Sequence, residues 1–531
     1  MASPDALRRH RLRLRPWQWI AISFGLAVVL GLLAVASVVP WSSDALRQEV
    51  VDSLSDRFDG EVELANLDVR IFPRFHAEGL GLTIRHKHRH DVPPLITVKA
   101  FSVEASLFGL LRKHVARVRL DGLDIEIPPG HNRDDDREDV DTPRDRRDKN
   151  RDLRTFVVDS MVSTDARLVM LSDKKDKPSK IWAIHTLHMR SVSFDRPAPF
   201  EAALTNGIPP GEIETAGSFG PWQSDDPGET PLDGTFTFDR ADLGVFKGIS
   251  GILSAHGTFG GSLRRIDVLG EADTPQFMTD IGGHPVPLHT KYHAIVDGTN
   301  GDTRLERVDG SFLGSSLVAT GGVVGTPGQR GRTITLDVTM DDARIEDMLR
   351  LAVKTPVPPM TGALKLTTTL VLPPGKQDVV DKLRLDGQFA IATARFTNLD
   401  VQQKVNELSH RGRGKTPDER QERVVSDFNG RFTLADGTLA LSELTFNVPG
   451  AGVSLAGRYH LRSETLDFRG ALLVDAKVSE MTTGFERFLL KGVDPLFNKA
   501  GGGSAIPIRI TGTRSDPSFG LDKGRVFTRG K

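Results

Sequence analysis

Three short tracts of this 531-residue chain carry side chains able to do chemistry. His86, His88 and His90 alternate in RHKHRHD, so a strand there would offer three imidazoles on one face to a divalent metal. Arg85, Lys87 and Arg89 interleave them and would repel a cation, so the tract reads as a solvated hairpin loop. Asp134, Asp136 and Glu138 have the spacing of calcium ligands but lack the glycine and the distal glutamate of an EF-hand. Gly414-Lys415-Thr416 ends like a nucleotide-binding loop, yet Ser409 stands where its first glycine belongs and Pro417 where its helix should begin. No G-x-S-x-G elbow supplies a nucleophile, and the adjacent Asp341 and Asp342 would point to opposite faces of a strand. Zero cysteines exclude disulfides and thiolate metal sites. The expectation is a chain with no catalytic residues, no metal and no cofactor, and not an enzyme.

The elements that would position any site begin with a segment free of charge, Ile20 to Val39, preceded by Arg8, Arg9, Arg11, Arg13 and Arg15 and flanked by Trp17, Trp19 and Trp41. It is long enough to cross the roughly 30 Å hydrocarbon core of a bilayer as one helix. Ile20, Leu26, Val29, Leu32 and Val38 would face lipid. Positive charge before it sets the N-terminus in the cytoplasm. The expected location is the inner membrane, single-pass, with the bulk of the chain in the periplasm. A signal peptide cleaved after Ala36 is the alternative, since Ala34-Val35-Ala36 has the small-x-small form. Apolar character running on through Val38 and Val39 favours a retained anchor.

Beyond the segment, Leu46, Val50, Leu54 and Phe58 recur at helical spacing and predict a short helix ending at Asp59-Gly60. The period then changes to two: Val62 and Leu64, then Leu67, Val69 and Ile71, then Leu80, Leu82 and Ile84, and, either side of a turn at Asp121-Gly122, Val118 and Leu120 and then Leu123, Ile125 and Ile127. Asp233-Gly234, Asp297-Gly298, Asp309-Gly310, Asp386-Gly387 and Asp436-Gly437 read as further turns. With 52 glycines and short helices only at Ile345–Val353, Leu399–Leu408 and Val478–Phe497, the chain is expected to be mainly β: an elongated, twisted antiparallel sheet of about thirty strands behind the N-terminal helix. Pairing side by side at about 4.8 Å, thirty strands would make a ribbon roughly 140 Å long, its apolar face curled into a groove. The charged run from His131 to Asp152 has too little apolar content to fold and reads as a disordered insert. The expected organisation is a basic tail (1–16), an anchor (17–40), an N-terminal β region (41–130), the insert (131–152), a middle β region (153–380) and a C-terminal β region (381–531) with a polar insert at 409–423. A formal net charge of −1, from 69 basic and 70 acidic side chains, gives no field for nucleic acid.

Three segments together resemble the AsmA-like family. VELANLDVRIFPRFHAEGLGLTI followed by KAFSVEASLFGLLRKHVARVRLDGLDIEIP resembles its N-terminal region, FNGRFTLADGTLALSELTFNVPGAGVSLAGRYHLRSETLDFRGAL its C-terminal region, and IPIRITGTRSDPSFGLD its closing strand, with Pro507, Gly512 and Pro517 in order. The resemblance implies a relation to bridge-like lipid-transfer proteins with a repeating β-groove. It further implies phospholipid acyl chains as the ligand, the inner membrane and an outer-membrane or periplasmic protein as partners, and a role in outer-membrane biogenesis. Leu67, Val69, Ile71, Leu80, Leu82, Val118, Leu120, Leu123, Ile125 and Ile127 are the expected groove lining. The alternatives are an assembly factor that holds outer-membrane proteins by strand addition and a purely structural envelope protein.

Overall fold

The structure is a computed structural model. It describes residues 44, 47–48, 50–52, 55, 60–70, 74–86, 94, 96–127, 157–170, 180–193, 195–221, 223, 227–298, 301–325, 331–412, 424–474 and 504–522. The anchor, the charged insert, His88 and His90, Gly414-Lys415-Thr416, Ile71 and the helix expected at Val478–Phe497 lie outside them. Among the described residues no helix is long and apolar enough to cross a membrane.

The chain is mainly β, with 24 strands among the described residues and few, short helices. It divides into two compact units, one of residues 1–241, 255–269 and 295–301, the other of 242–254, 270–294 and 302–531. The first unit opens with β1 (Gly60–Arg70), β2 (Phe75–His86), β3 (Ile96–Ala105), helix α1 (Leu107–Leu111) and β4 (His114–Ile127). It continues with β5 (Val157–Met170), β6 (Lys180–Val192), β7 (Ala198–Gly207), β8 (Pro210–Phe219) and β9 (Pro231–Asp242). Each strand pairs antiparallel with the next, with one exception. β4 and β5 run parallel, His114 opposite Val157 and Ile125 opposite Leu168. The expected uniform antiparallel order fails here for a plain reason. A parallel neighbour needs a long return connection, and residues 128–156 supply one.

Two glycines in the left-handed region mark where the buried face changes phase. The register of β1–β4 runs unshifted through them: Leu82 stands opposite Leu64 and Gly79 opposite Leu67, Leu123 opposite Val98 and Leu120 opposite Phe101. Gly81, at φ +63°, and Gly122, at φ +61°, sit between those pairs. Asp121-Gly122 therefore lies inside one continuous strand and is not a turn between two. Leu64, Leu67, Leu82, Leu120 and Leu123 are all buried despite their odd spacing. Leu80 falls on the other side, 50% exposed. That corrects its expected place beside Leu82.

The predicted short helix is present where the chain is described between residues 44 and 55. Val50 is fully buried in the core of β1–β5, and the Arg47 guanidinium donates to the Leu64 carbonyl at 3.2 Å.

The second unit carries β10 (Ile249–Ser250), most of β12 (Arg265–Thr279), which begins in the first unit, and β13 (Val286–Val296), whose last residues do not belong to it; β11 (Ile252–Ser262) lies largely in the first unit. Then follow β14 (Thr303–Phe312), β15 (Ser315–Gly325), β16 (Arg332–Arg344), α2 (Ile345–Ala352), β17 (Met360–Leu372), α3 (Val379–Lys382), β18 (Arg384–Phe396) and α4 (Leu399–Gly412). β19 (Ser426–Ala435), β20 (Thr438–Val448), β21 (Ala451–His460), β22 (Thr465–Val474), β23 (Ser504–Thr513) and β24 (Pro517–Leu521) complete it. From β14 to β24 every strand pairs antiparallel with its sequence neighbour. Helices α2 and α4 stand where the two apolar patterns predict them, and α4 runs on through the first residues of the expected polar insert.

Of the five Asp-Gly pairs read as turns, Asp297-Gly298 and Asp436-Gly437 join strands, the latter with φ of +50° and +66°. Asp233-Gly234, Asp309-Gly310 and Asp386-Gly387 lie inside β9, β14 and β18. There the glycine clears space for a neighbour on the next strand, as at Gly310, where an added Cβ would come 2.9 Å from Leu317 Cγ.

The change of phase at Gly81 sets a contrast that equilibrium unfolding in urea will read. Leu82→Ala, at a fully buried site, is expected to cost about 2–5 kcal/mol, and Leu80→Ala about 0.5 kcal/mol or less. Equal shifts in the unfolding midpoint would reject the assigned register.

Candidate functional site

No cluster of three or more His, Asp or Glu side chains suited to a metal occurs among the described residues. Asp341 and Asp342 are both exposed. His86 ends β2, outside any such cluster. What the strands do build is apolar surface.

In the first unit the pairing assembles four apolar ladders across β1–β4. Val62, Ile84 and Ile96 lie in one, Leu64, Leu82, Val98 and Leu123 in the next. Leu67, Gly79, Phe101 and Leu120 form the third, and Val69, Ala77, Val103 and Val118 the fourth. Gly79 has no side chain because the Phe101 ring occupies that space. Leu67, Leu82, Val118, Leu120 and Leu123 are 0–4% exposed and pack against one another under Val50. Val69 is half-buried against the same cluster. Ile125 and Ile127 continue β4, but their side chains lie outside the described residues. Leu67, Leu82, Val118, Leu120 and Leu123 of the expected lining thus form a closed core with Val50 of the N-terminal helix. From β6 onward the same face opens: Ile184, Leu187, Phe200, Leu204, Ile213, Phe236 and Phe238 are all half-buried.

The second unit shows the arrangement at greater length. One ladder runs Leu305, Gly321, Leu336, Leu370, Leu385, Leu434, Leu439, Tyr459, Leu466, Gly512 across ten strands. A second runs Val308, Ala319, Val338, Thr368, Gly387, Phe432, Leu441, Gly457, Phe468, Ile510, Phe519. A third holds Met340, Leu366, Phe389, Gly430, Leu444, Leu455, Gly470 and Ile508. A fourth holds Leu364, Ile391, Phe428, Phe446, Val453 and Leu472. Glycines recur among large residues because the two interlock: a Cβ at Gly430 would stand 2.7 Å from the Phe389 ring, and one at Gly457 would stand 2.6 Å from Phe468 Cδ1.

Burial is graded across these ladders. The fourth lies beside the helices: Ile345, Met348 and Leu351 of α2 pack on the cluster of Met340, Leu364 and Ile391, and Val405 and Leu408 of α4 on that of Val448, Ala451 and Val453. Phe428 and Phe446 stack there with ring centroids 4.6 Å apart, and Phe396 meets Phe428 edge-on at 6.0 Å. In the first ladder Leu336, Leu370, Leu385, Leu439, Tyr459 and Leu466 are only half-buried. At its rim the Arg514 guanidinium holds both Glu464 oxygens at 3.0 Å, and burial pushes the Tyr459 phenol above its ordinary range, keeping it neutral.

The opposite face is wet and charged throughout. Arg431 lies 3.6 Å from Glu443, Arg509 3.1 Å from Asp467, and Thr369 donates to Asp337 at 2.7 Å. Comparison with known protein families, with curated proteins and with solved structures returned no match. The resemblance to the AsmA-like family stands on its sequence segments alone.

Sequence reading named no residue of the later ladders because their signal is spread over ten strands, two or three residues at a time. The recurring glycine opposite an aromatic was the available clue.

The interlock is testable by a double-mutant cycle. Gly310→Ala is expected to destabilise by about 1–3 kcal/mol, and Leu317→Ala in the same chain to restore about 1 kcal/mol or more of that loss. Strict additivity in urea unfolding would show that the two positions do not meet.

Proposed function

We propose that this protein is a non-enzymatic holder of phospholipid acyl chains, anchored in the inner membrane through its N-terminal segment, with the apolar ladders as the binding surface. The observation that carries the reading is the graded burial of the second unit. Its fourth ladder is covered by helices, while on the first Leu336, Leu370, Leu385, Leu439, Tyr459 and Leu466 are left half-buried, with Leu434 among them buried. An apolar face of that extent on a chain in water calls for cover. Acyl chains are the cover that matches a strip made of methyl groups and rings with no fixed polar contact. Burying them contributes about 0.8 kcal/mol per CH₂. Because neighbouring positions along the strip are chemically alike, a chain could shift along it with little change in energy.

The resemblance to the AsmA-like family supports the same reading and adds its setting, transfer between the two membranes of the envelope in support of outer-membrane biogenesis. The lining proposed here differs from the first ten candidates. It consists of the half-buried positions of β16–β22 and, in the first unit, those of β6–β9.

The test is crosslinking in cells with a photoreactive phospholipid. Replacing Leu385, Leu439 and Leu466 together by Asp is expected to abolish lipid crosslinks while expression and circular dichroism stay unchanged. The matched control replaces the exposed Thr367, Thr369 and Thr433 of the charged face by Asp and is expected to crosslink as the parent does. Undiminished lipid crosslinking in the leucine variant would overturn the proposal. Loss of captured outer-membrane proteins without loss of lipid would favour the assembly-factor reading.

A further inference from the structure

The strand ends of the first unit hold an exposed apolar turn that no core uses. Helix α1 joins β3 to β4, and its two sides differ. Leu110 packs into the buried cluster beneath it. Phe108 and Leu111 are 64% and 82% exposed, the latter the most exposed large apolar side chain described. The turn is held firmly. Ser106 caps it, its Oγ accepting from the Gly109 amide at 2.8 Å, and Leu110, Arg112 and Lys113 donate their amides back into it at 2.9 Å. Arg112 lies over the Phe108 ring, 4.5 Å from its centroid, and Lys113 follows at φ +60°. His114 Nδ1 lies 3.2 Å from an Asp159 carboxylate oxygen, and the exposed Arg74 precedes β2 at the same strand ends.

Two apolar side chains on a rigid mount, with arginine and lysine directly behind them, form the pattern of a segment seated at the boundary of headgroups and acyl chains. The rings and methyls enter the apolar layer while the cations meet lipid phosphates. Its position in the unit says which membrane. The register puts Arg70, Phe75, Ala105, His114 and Val157 at one set of strand ends. The N-terminal helix leads into β1 at the other set. It runs back alongside the sheet, so that Arg47 is already level with Leu64, partway along β1. Residue 44 is about one turn further back along that helix, and the expected anchor stops at residue 40.

We infer that α1 is a second membrane contact, a wedge of Phe108 and Leu111 that docks on the anionic bilayer holding the anchor. The inference rests on the proposed anchored reading for the presence of a bilayer at this end. It adds what one helical anchor alone does not give, a fixed orientation of the first unit with its strands pointing away from the membrane.

The natural chain has no cysteine, so a single introduced thiol reports one place. The full chain carrying Leu111→Cys, and separately Phe108→Cys, is labelled with an environment-sensitive nitrobenzoxadiazole dye. It is then reconstituted into vesicles of phosphatidylethanolamine and phosphatidylglycerol containing a nitroxide-labelled lipid. Ile208→Cys, 62% exposed in the turn between β7 and β8 at the opposite strand ends, is the comparison. Blue-shifted emission quenched by the nitroxide at 111 and 108, with neither at 208, is the expected result. An unquenched dye at 111 and 108, equal quenching at all three positions, or a blue shift that persists in detergent and reports a protein contact would each overturn it. The two proposals fail separately. Quenching at 111 with no crosslinked lipid at Leu385, Leu439 and Leu466 would leave the wedge standing and remove the holder, and the reverse outcome would do the opposite.

Discussion

In a single layer of paired strands each side chain has only two places to go, and the pairing register decides which. Everything else in this protein depends on that choice being repeated without a slip from β14 to β24. A shift of one residue anywhere would move a row of leucines and phenylalanines into water and a row of arginines and aspartates onto the apolar face. Register shifts do occur, between Leu305 and Val308, between Met340 and Ala343, and between Leu441 and Leu444. In each case the apolar phase resumes beyond the shift. Bulges here absorb surplus residues and leave the two faces unmixed.

The same logic explains the glycines. On a face where large residues already fill the space, a neighbour on the next strand has to be small, and Gly430 beside Phe389 or Gly457 beside Phe468 meets that need. Glycine weakens a strand by leaving nothing to pack and by widening the unfolded ensemble. That cost is offset when the missing side chain lets an aromatic ring lie flat across two strands.

The two-residue period makes the β class legible in the sequence, and the helical patterns at Ile345 and Leu399 make the short helices there legible. Three things were hidden. Asp-Gly pairs at 121, 233, 309 and 386 carry the composition of a turn, and only the partner strand reveals that each glycine lies inside a continuous strand. The parallel pairing of β4 and β5 depends on where a connection returns, which composition does not encode. The difference between a sealed core and a half-open strip depends on what lies above it. Alternation is equally clean in β3 and in β18, yet Val98 is fully buried under the N-terminal helix cluster while Leu385 is half-buried.

That last difference bears most on function. A face sealed by protein and a face awaiting a ligand obey the same pattern rule, and they separate only through cover. Where helix residues such as Val50, Met348 and Val405 are present, the ladders beneath them reach the density of an ordinary core, and a ligand there would have to displace protein contacts of equal worth. Where no helix lies, the side chains keep part of their surface in water and gain whatever apolar partner arrives. A partner that fits a strip of this kind must be largely apolar along its length, since the ladders offer mainly methyls and rings. An acyl chain, the ligand proposed above, meets these terms.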